Sequence, residues 1–291
     1  MPIQLTKNIL VFASILFSFQ FNKVIFLNSI YGFISFCLVS SAIYLFNDIK
    51  DISKDKLHPY KKYRPIAKGE ISKSLATFCY LSLSFLGLFI AFHISKLFLF
   101  IIFLYLIIQI AYCLELKRKP ILDIFCIASG FLLRALSGVI ATGVNFSPWF
   151  ILTVALLALF LAVEKRKAEL ITFKETSILT RDILMIYTLP LLLRYESLLV
   201  SGTFISYSLW AAGPSLNGAS SPWMLITLPF VLLGIFRYQY ISDRQVLEIR
   251  NSKNKSITTE SPEKILIFDN VIRNVMIFWI ITVLLVGKFF Y

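Results

Sequence analysis

The chain has 291 residues, 58% of them hydrophobic, with a mean hydropathy of +0.78; a soluble core needs far less apolar matter, and long apolar runs along the whole length place the chain in a bilayer. A formal net charge of +13 raises the question of a nucleic-acid partner. The distribution excludes it: the basic residues sit in short loops between apolar runs, and no RNA- or DNA-binding motif accompanies them.

The pattern predicts an all-α membrane protein with nine spans, at 8–21, 24–46, 72–93, 97–114, 121–142, 149–164, 196–212, 222–238 and 271–289. The first is short, about 14 residues against the usual ~20. Its exit, Ser18-Phe19-Gln20-Phe21, lacks a small-x-small cleavage site and so predicts a first membrane helix rather than a signal peptide. His93 and Lys96 bracket a tight hairpin between the third and fourth spans, and His93 reads as structural. Asp182 to Arg194, largely apolar between two charged ends, is expected along the membrane surface. Of the 29 basic residues, 25 fall on the side holding Lys7 and the borders and interiors of loops 47–71, 115–120, 165–195 and 239–270, which makes that side, and the N-terminus, cytoplasmic. The whole chain, 1–291, reads as one transmembrane catalytic domain of an inner membrane, and a homo-oligomer is compatible with it.

Cys37, Cys79, Cys113 and Cys126 lie within or at the ends of apolar segments, with no CxxC pair or histidine cluster, so they read as small core residues rather than a disulfide framework or zinc site. Arg134, deep in the fifth span, needs a polar partner or a cavity, and a structural role is expected. Gly130 and Gly138 beside it permit close helix approach. Trp149, Trp210 and Trp223 read as interfacial anchors.

After the second span, Asn47-Asp48-Ile49-Lys50-Asp51-Ile52-Ser53-Lys54-Asp55 sets three carboxylates at i, i+3 and i+7, within about 60° of one another on a helix. Hard oxygens on one face suit Mg²⁺, which takes one or two protein carboxylates and completes its shell with water and phosphate. On an unbroken helix Asp48 and Asp55 stand roughly 10 Å apart along the axis, which implies two ions, or one ion with a water-mediated third acid. Lys50 and Lys54 could instead make this a solvated, salt-bridged helix end. The run continues, however, into His58-Pro59-Tyr60-Lys61-Lys62-Tyr63-Arg64-Pro65-Ile66-Ala67-Lys68-Gly69. Acids for metal followed by cations for phosphate are the parts of a Mg²⁺–diphosphate site; His58 is placed either to bond phosphate or to cap the loop.

The stretch from Asn47 to Ser72 resembles the first aspartate-rich motif of the UbiA superfamily of intramembrane prenyltransferases. The opening Lys7–Ala13, the run at 116–143, Ser147-Pro148-Trp149-Phe150 and Glu164-Lys165-Arg166-Lys167-Ala168-Glu169-Leu170 resemble, more narrowly, polyprenyl-phosphate phosphoribosyltransferases. The resemblance implies helices around a central cavity and Mg²⁺-dependent transfer of 5-phosphoribosyl from phosphoribosyl pyrophosphate (PRPP) to a membrane polyprenyl phosphate. It implies that Asp48, Asp51 and Asp55 hold the metal, with Asn47 beside them on the diphosphate. Lys61, Arg64, Lys117, Lys165 and Arg166 would bind phosphate groups, Asp123 would touch metal or ribose hydroxyls, and Lys7 and Asn8 would reach the pocket from the first span.

Ordinary UbiA prenyltransferases carry a second DxxxD motif after the sixth span; this chain has Lys165, Arg166 and Glu169 there. Added cations suit a pocket that must hold PRPP and a lipid phosphate together, since crowded anions repel strongly without fixed positive charge among them. The alternative, prenyl transfer from a prenyl diphosphate to an aromatic acceptor, needs no such cluster. A transporter would show Gly/Pro-interrupted helices in matching halves, and no such symmetry is visible.

Overall fold

The structure, a computed structural model, describes residues 6–18, 22–57, 61–144, 147–176, 182–243, 265 and 268–290. Among these the secondary structure is entirely helical. A 3-10 segment, Thr6–Phe12, leads into α1 (Ala13–Ser18), and the chain continues through α2 (Lys23–Lys50), α3 (Ile52–Leu57), α4 (Pro65–Lys68), α5 (Lys73–Ile94), α6 (Lys96–Leu114), α7 (Leu122–Thr142), α8 (Pro148–Thr176), α9 (Leu189–Ala211), α10 (Leu228–Ser242) and α11 (Asn270–Phe290).

Seven helical stretches among the described residues are long and apolar enough to cross a membrane: Lys23–Lys50, Lys73–Ile94, Lys96–Leu114, Leu122–Thr142, Pro148–Lys174, Pro222–Ser242 and Asn270–Phe289. They make the chain an integral membrane protein. Two expected spans fall outside that set. The first is the 3-10 segment with α1, too short to cross unaided. The other expected span, 196–212, lies in α9, which starts earlier and carries Arg194 and Glu196 in its first turns. Thr188 caps α9 by accepting from the Leu191 N–H at 3.4 Å, with Pro190 in the first turn, so a start signal overrides the surface placement expected to end at Arg194. The α8 helix likewise runs past the expected boundary at 164 to Thr176, because Glu, Lys, Arg, Ala and Leu all favour helix continuation.

The caps explain the sharper ends. Asn22 accepts from Val24 N–H at 2.9 Å and Ser72 from Leu75 N–H at 3.2 Å. The expected hairpin at 93–97 turns on a single residue: extended Ser95 donates its N–H to Ala91 O at 3.3 Å, ending α5, and accepts from Phe98 N–H at 3.0 Å, opening α6. His93 stacks edge-on against Phe89, 4.7 Å between centroids, a packing role.

The chain divides into two compact units, 1–15 with 20–126 and 133–144, and 16–19 with 127–132 and 145–291. In the first, Phe36, Val39, Phe98, Ile102, Tyr105 and Leu133 form the buried core. Ser35 Oγ donates to Gly87 O at 2.8 Å, drawing α2 and α5 together where a Cβ on Gly87 would meet Val39 Cγ2 at 2.4 Å. Small residues let bilayer helices approach until van der Waals contact holds them. Arg134 is buried in this unit: its Nε donates to Asn8 Oδ1 at 2.7 Å and its Nη2 to Tyr105 OH at 3.0 Å, with the guanidinium over the Phe36 and Tyr105 rings. That satisfies the cation inside apolar surroundings.

Gly138 is the closest approach. A Cβ there would lie 2.0 Å from Val11 O and 2.9 Å from Val11 C, backbone atoms that cannot rotate away. Gly138→Ala should therefore force the 3-10 segment off α7 and cost about 1–3 kcal/mol or more, read as a lower midpoint of thermal unfolding in detergent.

In the second unit Phe150, Tyr207, Trp210, Met224, Val283 and Val286 form the core. Trp210 is 3% exposed and packs on Phe150 and Tyr207, so it is a core residue rather than an interfacial anchor; Trp223, at 53% exposure, has the character expected of an anchor. Trp279 Nε1 donates to Tyr207 OH at 2.9 Å, and Tyr207 OH shares a hydrogen bond with Thr227.

Candidate active site

The acidic motif sits where α2 ends. The Asp51 N–H still bonds Asn47 O at 2.9 Å, but Asp51 itself takes φ −95°, ψ 7°, and α3 restarts at Ile52 with Asp55 N–H on Asp51 O at 2.8 Å. Arg64 Nη1 donates to Asp48 Oδ1 at 2.7 Å and to Asp55 Oδ2 at 2.8 Å. Two oxygens held by one nitrogen cannot be farther apart than those two distances laid end to end, so the side chains lean together although their backbone positions stand roughly 10 Å apart along a helix axis. Asp48 and Asp55 therefore converge on a single cationic atom.

Arg64 reaches them from a turn built for it. It stands in extended backbone just before α4, Pro65 takes the first helical position, and Gly69 closes α4 at φ +85°, where a side chain would be strained. Lys117 approaches from the α6–α7 connection, its Nζ 2.7 Å from Asp51 Oδ1 and 3.0 Å from Oδ2. Each of the three aspartates is thus bonded by a protein cation. Asp55 is buried, with 5% of its side chain exposed, and the others are half-buried: 33% for Arg64, 14% for Lys117, 18% for Asp48 and 23% for Asp51.

The same connection holds the described backbone's most strained turn. Ile121 adopts φ +68°, ψ −49°, and Leu122 N–H bonds Pro120 O at 2.8 Å, a γ-turn of the rare positive-φ kind, which a β-branched residue adopts only under constraint. It delivers the chain from Lys117 straight into α7, whose first turn buries Asp123 completely, at the helix end where a carboxylate is favoured. Strain of this sort concentrates at sites whose geometry matters.

Other expected site residues are placed elsewhere. Asn8 is fully buried; its amide nitrogen donates to Ser40 Oγ at 3.1 Å and Cys37 Sγ at 3.2 Å, and its oxygen accepts from Arg134. Its polar atoms bond α2, a little over two turns before Asp48, and Arg134 on α7. Lys7 lies half-buried on the 3-10 segment. Asn47 is half-buried near the end of α2. Lys61 belongs to a 3-10 turn, Lys61–Tyr63, its side chain outside the described residues, as is His58 entirely. Lys165 and Arg166 belong to the second unit, on α8. Lys165 is half-buried, whereas Arg166 is wholly buried and ion-paired with Glu169 one turn on.

The second unit also holds a polar network that sequence reading missed. Lys167 Nζ lies 2.5 Å from Glu164 Oε1 and 2.6 Å from Glu196 Oε2, and Gln239 Nε2 donates to Glu196 Oε1 at 2.7 Å. It ties α8, α9 and α10 together. The i, i+3 spacing of Glu164 and Lys167 was visible in the sequence; the partner on α9 was not.

Carboxylate oxygens at a half-exposed helix end fit a hard divalent cation. Among the described residues no three His, Cys, Asp or Glu side chains converge on one point; Mg²⁺ takes one or two protein carboxylates and fills its other positions with water and phosphate.

Comparison with known proteins adds identity to this geometry. The chain is 31% identical to the decaprenyl-phosphate phosphoribosyltransferase of Mycolicibacterium smegmatis over 87% of this chain and 78% of that protein. It is 34% identical to the enzyme of the same name from Corynebacterium glutamicum over 81% and 73%. Its fold is similar to that of a UbiA homolog from Archaeoglobus fulgidus solved with DMAPP and Mg²⁺, with a TM-score of 0.72 at 18% identity, covering 99% of this chain and 97% of that one. With the UbiA prenyltransferase family matching residues 9–254, the chain belongs to that family.

Proposed function

We propose that the chain transfers the 5-phosphoribosyl group of PRPP to a membrane polyprenyl phosphate of the decaprenyl type, releasing diphosphate. The observation that carries the reading is the pairing of three aspartates with Arg64 and Lys117 at the end of a membrane helix: acids for a divalent cation and cations for phosphate, within one cluster. The named activity of the mycobacterial and corynebacterial relatives supports it.

In this reading an oxygen of the lipid phosphate forms the new bond to the ribose anomeric carbon while the bond from that carbon to diphosphate breaks, and diphosphate departs with the electron pair. The lipid phosphate is already anionic, so no side chain need act as a general base. Asp48, Asp51 and Asp55 would hold Mg²⁺, with Asn47 beside them. When bound, Mg²⁺ neutralises diphosphate oxygens and makes diphosphate a better leaving group. Arg64 offers phosphate a planar donor fork and Lys117 a flexible point charge. Lys61 would add positive charge for a phosphate group, and buried Asp123 would serve metal or ribose hydroxyls. The site faces the cytoplasm, the side that the bias of basic residues assigns to the Asp48 end of α2.

Membranes containing the chain, incubated with labelled PRPP and polyprenyl phosphate, should place label in the lipid phase. EDTA should stop the transfer and Mg²⁺ restore it. Consumption of labelled isoprenyl diphosphate, with none of the PRPP label reaching lipid, would replace this reading with prenyl transfer.

A further inference from the structure

The aspartates that would take a divalent cation are not waiting with open oxygens: Arg64 bonds Asp48 and Asp55, and Lys117 bonds both oxygens of Asp51. A divalent ion arriving at the same carboxylates meets positive nitrogen already there, and like charges at such distances repel strongly. We propose that Arg64 and Lys117 change partners as substrate binds. The diphosphate draws the guanidinium and the ammonium off the aspartates, and the released carboxylates take the divalent cation that accompanies it. Metal and polyanion then bind with positive coupling, each strengthening the other by the same factor. The inference rests on the phosphoribosyl-transfer reading and adds to it an order of events and a function for the ion pairs themselves.

The two cations suit exchange. Both are partly exposed, so moving them between carboxylate and phosphate requires no repacking of a core. A guanidinium grips phosphate as well as carboxylate, and an ammonium on a four-carbon stem swings readily. Arg134 shows the contrast: 4% exposed, fixed by Asn8 and Tyr105 and laid over two rings, it is a cation that stays.

The test needs no turnover. Mn²⁺ alone is titrated into the full chain in detergent and followed by electron paramagnetic resonance. Lys117→Ala should bind Mn²⁺ about tenfold more tightly than wild type, because a competing cation has gone, and Arg64→Gln should do the same. Lys50→Ala removes an exposed ammonium that lies over Phe46 rather than on the aspartates; it should change Mn²⁺ affinity by less than about twofold. In a second arm, Lys117→Ala should retain less labelled inorganic diphosphate than wild type at saturating Mg²⁺. Mn²⁺ binding by Lys117→Ala no tighter than wild type would overturn the exchange, and so would an equal gain in Lys50→Ala, which would mark a general field effect. If the variants do not fold, the wild-type chain decides: its retention of diphosphate should rise at least about tenfold when Mg²⁺ replaces EDTA, and no rise would overturn the coupling. A chain that shows the exchange but moves no label from PRPP to lipid would keep this inference and lose the proposed reaction.

Discussion

Asp51→Asn should reduce phosphoribosyl transfer by at least about 10²-fold, the scale on which enzymes lose rate when one element of transition-state charge stabilisation is removed. The substitution keeps the shape of the side chain and removes its charge. Lys117, now bonded to both Asp51 oxygens, would face a neutral amide, and the divalent cation would lose a hard anionic ligand. Folding should survive, since the backbone bonds that join α2 to α3 run through Asp51 N–H and O and the side chain is partly exposed. Transfer of PRPP label to lipid and the midpoint of thermal unfolding, measured on one preparation, separate the two effects. Near-normal transfer would remove Asp51 from the metal site, and loss of transfer together with a collapsed midpoint would assign it a structural part instead.

The site was legible in the sequence where its parts are close along the chain. Asp48, Asp51, Asp55 and Arg64 occur within seventeen positions, and acids followed by cations already spell out a metal–phosphate arrangement. Lys117, 66 positions from Asp51, could be joined to them only through family resemblance. The convergence of Asp48 and Asp55 was hidden because axial rise counts backbone separation, whereas Arg64 bridges the side-chain oxygens. The turn at Ile121 was hidden for another reason: a β-branched residue is a poor advertisement for positive φ. The fold was readable to the extent that apolar length decides it. Hydropathy located the seven long spans but ended α8 early and started α9 late, because it scores charge as loop and cannot see that Lys167 and Glu196 neutralise each other.

Lys167→Met should cost about 3–5 kcal/mol, the usual penalty for removing one partner from a buried ion pair. Glu164, Lys167 and Glu196 are 1%, 4% and 5% exposed, so water cannot take over from the lost ammonium. Two carboxylates, each now within 2.6 Å of the same nitrogen, would face one another across a methionine thioether. The cost follows from the uncompensated acids more than from the lost attraction, and this gives the prediction a second arm. Adding Glu196→Gln to Lys167→Met should recover part of the stability, since one buried charge disappears while a group able to bond Gln239 remains. Additive losses would be expected of distant sites, whereas a double variant more stable than Lys167→Met alone is the mark of groups in one network. Thermal unfolding in detergent reads both arms. A Lys167→Met protein that melts with wild type would mean that the tie among α8, α9 and α10 does not bear on stability, and a double variant that loses the sum of the single losses would mean that Lys167 and Glu196 do not act as one network.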